Sequence, residues 1–230
     1  MPSLHAGCGL NRMRGWLNAD QFTTPATDVV YDLEQPWPFP DNQFTQVYSS
    51  HVVEHLDNWQ MFFQEAWRVL EPGGRLTIRV PYGGHASAWW DFGHKRPYYT
   101  ENFVMFQPGY ARQIGNLEHE GWHWPYSIEL LQVRISGQIV KVLRWLPRRV
   151  RQLVLEWIRH SADACQELFV TMTPLKSPDA VEVWLLAHHP TTYPLQYICF
   201  AHQWTGKVPQ EGEALGLHTL ASGVSVGCYV

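Results

Sequence analysis

A short glycine turn followed by two spaced aspartates restricts the fold of this chain more than any other feature of its sequence. An apolar run at residues 4–6 ends in the glycine turn at 7–9, a second run ends at Asp20, and a third ends at Asp32. Open α/β sheets bind ligands at the carboxyl ends of their parallel strands, so these turns are expected to meet at one edge. Glycine lets backbone N–H groups approach a ligand closely, and an acidic residue there accepts hydrogen bonds from ribose hydroxyls. The sequence therefore predicts a nucleoside-binding site.

Longer strings surround these residues in a fixed order. They are LHAGCG at 4–9, GWLNAD at 15–20, VVYDLEQPWPFPDNQFTQVYSSHVVEHL at 29–56 and EAWRVLEPGGRLTIRVP at 65–81. Together they resemble the class I S-adenosylmethionine-dependent methyltransferases, in particular the broad type 11 group of small enzymes. The resemblance is close over residues 4–105 and loose beyond them.

The resemblance implies S-adenosylmethionine as cofactor and assigns its contacts. The glycine turn, Gly7, Cys8 and Gly9, would wrap the methionine part, and Asp20 would bind the ribose hydroxyls. The remaining implied contacts are Asp32 and Leu33 at the adenine edge, and Ser50 and His51 beside the methyl group. One departure is visible, because the stretch from Gly9 to Asp20 is too short for the helix that usually follows the first strand. We expect a loop or a single turn at residues 10–15.

Alternating strand and helix patterns predict a mostly parallel sheet. Strands are predicted at 3–6, 16–19, 28–31, 45–50, 75–80, 127–135 and 181–187, and an amphipathic helix at 58–70. By resemblance the last two strands form an antiparallel hairpin at the sheet edge, giving an α/β, Rossmann-like, seven-stranded sheet with an antiparallel edge strand and a helical insertion before the last strand. We assign residues 1–189 to this domain and 190–230 to a C-terminal extension of unknown role, in which only 197–200 has a strand pattern.

The predicted insertion at 138–166 combines many apolar residues with a strongly basic side, and Pro147 interrupts it. Such a segment can lie on a membrane surface or bind an acidic partner. The alternative, which we favour, is that it packs on its own domain as a cover of the cofactor cleft or as a homodimer contact, without a membrane role.

Candidate groups for the acceptor cluster at the end of the fourth strand and in the segment that follows the fifth. The segment at 81–99 is long, aromatic and rich in histidine, which favours a wall of the acceptor site. His51 or His94 is predicted to act as general base, with Asp91 orienting His94. Two alternatives stay open: Asp91 and His94 only pin the loop, and His51 only shapes the pocket through its backbone.

Two strings match zinc-protease motifs, HExxH at 119–123 and the inverted HxxEH at 51–55. That chemistry needs both histidines on one helical face. The first string contains glycine and precedes Pro125, so we expect it in a turn or an extended segment. The second can open a helix, but in a chain with twelve histidines chance matches are expected. We therefore expect no stoichiometric zinc, and interpret Glu54 and His55 as anchors of a turn.

Composition limits the remaining function classes. A formal charge of −4 argues against a general nucleic-acid binder. The four cysteines lack CxxC spacing, no apolar run has the length of a membrane span, and the first motif begins at residue 4, so we expect a cytoplasmic protein with reduced thiols. The twelve tryptophans fit either a large core or an aromatic acceptor pocket.

These observations predict a methyltransferase that acts on an oxygen or nitrogen of a small-molecule or glycan-like acceptor, since no DPPY or NPPY string for DNA amino-methylation is present. Two alternatives stay open. One is a non-catalytic partner subunit that binds S-adenosylmethionine, and the other is an unrelated zinc hydrolase.

Overall fold

In the computed structural model, every strand within the described residues belongs to one mixed sheet. The structure describes residues 2–109, 124–135, 145–159, 165–187, 195–200, 218–219 and 225–229. The strands are β1 (Ser3–Ala6), β2 (Leu17–Asp20), β3 (Val29–Val30), β4 (Phe44–Ser50), β5 (Leu70–Pro81), β6 (Tyr126–Ile135), β7 (Cys165–Pro174), β8 (Leu195–Phe200), β9 (His218–Thr219) and β10 (Ser225–Tyr229). The helices are a 3-10 turn at Val53–His55, α1 (Trp59–Val69), α2 (Ser87–Trp90), α3 (Thr100–Val104), α4 (Arg148–Arg159) and α5 (Pro178–Ala187).

The strand order is β3-β2-β1-β4-β5-β7-β6-β8-β10-β9. Strands β1 to β5 run parallel to one another, whereas β7 is antiparallel to both β5 and β6. The chain moves outward from β1 to β3 and then returns to place β4 on the other side of β1. This reversal creates a topological switch point between β1 and β4, which is where open α/β sheets hold their ligands.

The Rossmann-like α/β sheet expected from the sequence is confirmed, with strands at or close to most predicted positions. Beyond its first seven strands the sheet continues, because β8 pairs in parallel with β6 and β10 with β8. The strand expected at 197–200 lies within β8. The division of the chain at residue 189 stays a prediction.

The strand predicted at 181–187 is wrong, because these residues belong to α5. The partner of β6 in the antiparallel hairpin is β7 at Cys165–Pro174, so the helical insertion ends before Cys165. The run 181–187 is short and apolar, and such runs do not distinguish strand from helix. Pro178 at the start of α5 and Asp179 in its first turn are the local signals for a helix.

Helix α1 forms where the periodicity predicts it and covers the sheet. The side chain of Asn58 accepts a hydrogen bond from the Met61 N–H at 3.3 Å and caps the first turn. Phe62, Phe63 and Ala66 are fully buried on one face. Burial of aromatic side chains at this spacing stabilises the helix far more than its intrinsic propensity does.

Helix α4 occupies part of the predicted insertion, directly after Pro147. Leu146 and Val154 pack against the core, whereas Leu153 and Trp157 are exposed. None of the helices within the described ranges is both long and apolar enough to cross a membrane. Whether this segment covers the cofactor cleft or makes a dimer contact stays a prediction.

Candidate functional site

The first turn requires glycine at positions 7 and 9 for different structural reasons. Gly7 has a φ of +78°, and a Cβ at this position would lie 2.3 Å from Val52 Cγ2. Gly9 has a φ of +53°, but a Cβ there would meet no atom within 4 Å. Gly7 therefore allows the turn to pack against the chain after β4, whereas Gly9 faces open space that a ligand can approach.

Asp20, at the end of β2, holds this turn in place. Its side chain is buried, Oδ2 accepts a hydrogen bond from the Gly9 N–H at 2.8 Å, and Oδ1 accepts one from the Phe22 N–H at 3.1 Å. The N–H groups of Gly7 and Cys8 donate to the carbonyl of Ala19, at 2.8 and 2.9 Å. A carboxylate oxygen can accept more than one hydrogen bond, so Asp20 retains capacity for ribose hydroxyls.

Residues 10–15 form turns and loop without a helix, as the short spacing predicts. The buried Asn18 side chain fixes this loop, since Oδ1 accepts from the Met13 N–H at 2.8 Å. Arg12 donates to Asp28 at 2.5 Å and to the Ala26 carbonyl at 3.0 Å. Hydrogen bonds from Asn18 and then Arg12 lower the pKa of Asp28 to about 2. Sequence reasoning did not single out these three side chains, because no motif marks them.

One cavity lies at the switch point and has a volume of about 560 Å³. We call it the switch-point cavity; its lining residues are His5, Gly7, Cys8, Leu10, Asn11, Arg12, Met13, Ser50, His51 and Arg79. Four predicted cofactor residues are therefore in its wall: Gly7, Cys8, Ser50 and His51. Gly9 and Asp20 lie beside it and are bonded to each other.

Asp32 and Leu33, expected at the adenine edge, do not line this cavity. Asp32 is exposed, and its Oδ1 accepts a hydrogen bond from the Glu34 N–H at 2.9 Å. Leu33 is buried in the core, and its carbonyl accepts from Trp37 Nε1–H at 3.2 Å. Asp32 thus makes the contact of a turn residue, and Leu33 makes those of a core residue. Their role in cofactor binding stays a prediction.

The second cavity has a volume of about 400 Å³ and shares His51 with the first. We call it the histidine cavity; it is lined by His51, His55, Pro81, His85, Ser87, Trp90, Asp91, His94, Arg134, Gln166 and Glu167. It contains all three predicted catalytic residues, His51, Asp91 and His94. The two cavities therefore adjoin at His51.

His51 is held in an unusual position directly after β4. Its φ is +55°, which is strained for a residue with a side chain, and its N–H donates to the Arg79 carbonyl at 2.8 Å. Nδ1 lies 3.2 Å from Glu54 Oε1, and Nε2 lies 3.1 Å from Glu167 Oε1. Burial opposes the charged imidazole, but the contacts with the Glu167 and Glu54 carboxylates outweigh it and raise the pKa of His51 to about 9. Both ring nitrogens therefore face carboxylates.

Glu167 joins four neighbouring strands of the sheet into one ionic network. It lies on β7, where it pairs directly with Arg134 of β6 at 2.7 Å, and it also contacts Arg79 of β5 and His51 after β4. Burial would raise the pKa of this carboxyl, but His51, Arg79 and Arg134 lower it to about 2. Sequence reasoning missed Glu167, Arg79 and Arg134, because the strand that carries Glu167 was not predicted.

His94 lies against His55 on the far wall of the histidine cavity. Their ring centroids are 4.7 Å apart. His94 Nδ1 lies 3.2 Å from the Ala88 carbonyl, whereas Nε2 is 3.8 Å from Asp91 Oδ2. Asp91 accepts a hydrogen bond from the Gly93 N–H at 2.7 Å. The Ala88 carbonyl, at a hydrogen-bonding distance, therefore orients the His94 ring more directly than Asp91 does.

The loop after β5 carries exposed aromatic rings beside the histidine cavity. Trp89, Trp90 and Phe92 are largely exposed, and Trp90 lines the cavity. Trp89 Nε1–H donates to the Gly83 carbonyl at 2.8 Å, which ties the loop back to its own start. Trp37 is buried in the core, so part of the tryptophan content serves the core, and an aromatic acceptor wall stays a prediction.

The two zinc-protease strings have different outcomes. The string at 119–123 lies outside the described residues. In the string at 51–55, only Val53–His55 is helical, as a 3-10 turn, and His51 lies before it with positive φ. His51 and His55 therefore do not form the helical pair of a zinc protease.

Comparison with known proteins finds one family model and several solved structures that are similar to this chain. Residues 9–78 match the family model described as a methyltransferase domain. A S-adenosylmethionine-dependent methyltransferase from Archaeoglobus fulgidus has 16% identity, covers 75% of this chain and 85% of its own, and superposes with a TM-score of 0.45. One from Mesorhizobium loti has 15% identity, with coverage of 75% and 90% and a TM-score of 0.43. No curated protein shows significant sequence similarity.

The matched segment runs from the glycine turn to β5 and includes the strands that meet at the switch point. The expected Rossmann-like sheet is present, and the cavity at its switch point is bordered by the glycine turn and the end of β4. The segment that matches a methyltransferase domain, residues 9–78, thus includes Ser50, His51 and the loop residues 10–13 of this cavity's wall.

Proposed function

We propose that this protein transfers a methyl group from S-adenosylmethionine to an oxygen or nitrogen atom of a small-molecule or glycan-like acceptor. The observation that carries the proposal is the pair of adjacent cavities that share His51. The switch-point cavity would hold the cofactor, and the histidine cavity would hold the acceptor. Both volumes are in the range of small-molecule sites.

The reaction makes limited demands on the protein. The sulfonium makes the methyl group a good electrophile, so the main task is to hold the acceptor atom in line with the departing sulfur. The acceptor atom forms a bond to the methyl carbon, the carbon–sulfur bond breaks, and S-adenosylhomocysteine leaves with the electron pair. A hydroxyl or amine acceptor must also lose a proton.

The lining of the histidine cavity supports a polar acceptor. It combines imidazoles, two carboxylates and a guanidinium with one exposed indole, that of Trp90. Polar groups can hydrogen-bond hydroxyl or amine groups, and the indole offers an apolar face. A small polar metabolite and a sugar unit both fit this description.

The prediction that His51 or His94 is the general base stays a prediction, and the geometry favours His94. Both ring nitrogens of His51 face carboxylates, so neither offers a lone pair to an acceptor. His94 uses Nδ1 toward the Ala88 carbonyl, which leaves Nε2 as the acceptor nitrogen. Asp91 lies next to Nε2, at 3.8 Å.

Calorimetry with S-adenosylhomocysteine tests the cofactor site. We expect micromolar affinity for the full-length protein and about ten- to a hundredfold weaker binding for Asp20→Ala, because the glycine turn and the ribose hydroxyls both lose their acceptor. Asp20→Asn, which keeps one oxygen, serves as the conservative control and is expected to lose less. Unchanged affinity in Asp20→Ala would contradict the assignment of the switch-point cavity.

Turnover separates an enzyme from a non-catalytic partner subunit. S-adenosylhomocysteine release is measured with a panel of sugars, phosphorylated metabolites, phenols and amines. We expect release with at least one class, and loss of release with retained cofactor affinity in His94→Ala. Cofactor binding without turnover across the panel would instead favour the non-catalytic subunit, and normal turnover in His51→Ala and His94→Ala would show that no base is needed.

A further inference from the structure

We propose that Glu54, His55 and His94 form a binding site for one divalent transition-metal ion, of the zinc type, in the wall of the histidine cavity. Each of the three residues offers one ligand atom, and these atoms lie within 4.8 Å of one another. Ligands of a tetrahedral ion with bonds of roughly 2.0–2.1 Å are about 3.4 Å apart. Small side-chain rotations would therefore bring the set to bonding distance.

Glu54 is the strongest single observation for this site. The residue is 1% exposed, and within the described part of the chain neither carboxylate oxygen makes a hydrogen bond of acceptable geometry. Its only ionic contact found there is the His51 Nδ1 atom, 3.2 Å from Oε1. A buried carboxylate is costly unless several groups compensate its charge. A cation bound through Oε2 would supply the missing compensation.

His94 is oriented as a metal-binding histidine usually is. Such histidines donate the N–H of one ring nitrogen to a carbonyl or carboxylate, which fixes the ring and leaves the other nitrogen for the metal. Here Nδ1 faces the Ala88 carbonyl at 3.2 Å, so Nδ1 carries the proton and Nε2 keeps its lone pair. The ring is packed edge to face against His55.

The donor set determines the class of ion and the direction of its open position. Two imidazoles and one carboxylate bind zinc with a fourth position left open, and related sets bind iron(II). His55 and His94 line the histidine cavity, and Asp91 is beside them, so the open position faces the cavity. The sequence alone predicted no metal, because chance matches to such strings are expected in a chain with twelve histidines. The third ligand, His94, comes from the loop after β5.

The role of this ion, unlike the site itself, rests on the proposed function. An acceptor hydroxyl coordinated at the open position would release its proton to solvent more readily, since a metal lowers the pKa of a bound hydroxyl group. Its oxygen would then bond to the methyl carbon as the carbon–sulfur bond breaks. In that case Nε2 of His94 is a metal ligand and does not act as the general base. The bound ion would instead promote deprotonation of the acceptor.

Metal binding to the untagged full-length protein tests the site without any acceptor. The protein is treated with a chelator, desalted, and titrated with Zn²⁺ by calorimetry and with Co²⁺ by visible absorption. We expect one ion per chain and a Co²⁺ spectrum of tetrahedral or five-coordinate type. Because Glu54 is buried, Glu54→Gln is checked for folding by circular dichroism, and the more exposed His55→Ala and His94→Ala carry the main test.

His85→Ala is the matched control, since His85 lines the same cavity but bonds to Ser87 Oγ at 2.7 Å and is outside the ligand set. We expect His55→Ala and His94→Ala to weaken binding about tenfold or more, and His85→Ala to leave it unchanged. No binding, or equal binding in all variants, overturns the metal site. Cofactor calorimetry on the same samples is a separate readout: retained cofactor binding without metal binding overturns only this inference, and metal binding without cofactor binding overturns only the proposed function.

Discussion

The switch-point cavity and the histidine cavity share one residue, yet the chain builds them in opposite ways. The walls of the first are fixed largely by partners close in sequence, such as Gly9 with Asp20 and Met13 with Asn18. The second is fixed by distant partners, and the bond between His51 and Glu167 joins residues 116 positions apart. A cavity of the first kind leaves a motif in the sequence, whereas one of the second kind leaves scattered residues whose partners only the fold identifies.

The two cavities also differ in whether the backbone or the side chains determine their shape. The glycine turn is shaped by backbone conformation and by N–H groups that donate to Asp20 and to the Ala19 carbonyl. The histidine cavity is shaped by charged side chains and imidazoles from β6, from β7 and from the segments after β4 and β5. Substitutions at the first cavity should therefore act through steric strain, and substitutions at the second through charge.

The largest effect is expected from Gly7→Ala. The new Cβ would collide with Val52, whose branched side chain has little freedom, and the residue would keep a positive φ. We expect a loss of about 2–4 kcal/mol in the free energy of unfolding, measured by denaturant titration. Gly9→Ala is the matched control, with positive φ but no collision, and should lose about 1–2 kcal/mol.

A second variant makes the steric origin of this effect testable. Adding Val52→Ala to Gly7→Ala should recover part of the lost stability, because it removes the colliding methyl groups. Equal losses in Gly7→Ala and Gly9→Ala, or no recovery in the double variant, would show that backbone strain alone sets the requirement for glycine.

A similar or slightly smaller effect, and one that depends on pH, is expected from Glu167→Gln. The carboxyl has a pKa of about 2 in the folded protein against an ordinary value of 4.5. Its contribution to stability is therefore complete above pH 4.5 and disappears as the pH falls through 2. We expect the variant to be less stable by about 3 kcal/mol at pH 7, with a difference that shrinks between pH 4.5 and 2.

Denaturant unfolding at a series of pH values measures this difference. Glu129→Gln on β6, an exposed glutamate, is the control and should change stability by less than about 0.5 kcal/mol. A difference between wild type and Glu167→Gln that stays constant down to pH 2 would show that the ionic network does not hold the four strands together.

The smallest effect is expected from Asp32→Ala on cofactor affinity. Asp32 is exposed and is not part of the cavity wall, so we expect S-adenosylhomocysteine to bind no more than about twofold to threefold more weakly, by calorimetry. A tenfold loss would mean that the adenine extends beyond the switch-point cavity, as the sequence resemblance implies. The result thus decides whether Asp32 contributes to the cofactor site, as the resemblance implies.

Particular residues show how far sequence reasoning reached. The strands around Asp20 and His51 were predictable because each combines an apolar run with a defined end. His94 and Asp91 were chosen from an aromatic loop, and both line the histidine cavity. Glu167 was missed because the last strand was assigned to residues 181–187. A short apolar run like this one does not distinguish a strand from a helix. Arg134 and Arg79 were on predicted strands, but nothing in the local pattern marks a charge that points into a cavity.

The sequence by itself determined the α/β sheet and the glycine turn at its switch point, because these depend on periodicity and on contacts between residues close in the chain. It indicated the class of cofactor only through the resemblance of its motifs to a family. Only the tertiary structure decided that His51 links two cavities, that Glu167 joins three cations, and that Glu54 and His55 meet His94. The physical reason is that ion pairs and ligand sets depend on distances of a few ångströms between distant segments. Those distances are set by the order of the strands and not by the spacing of residues along the chain.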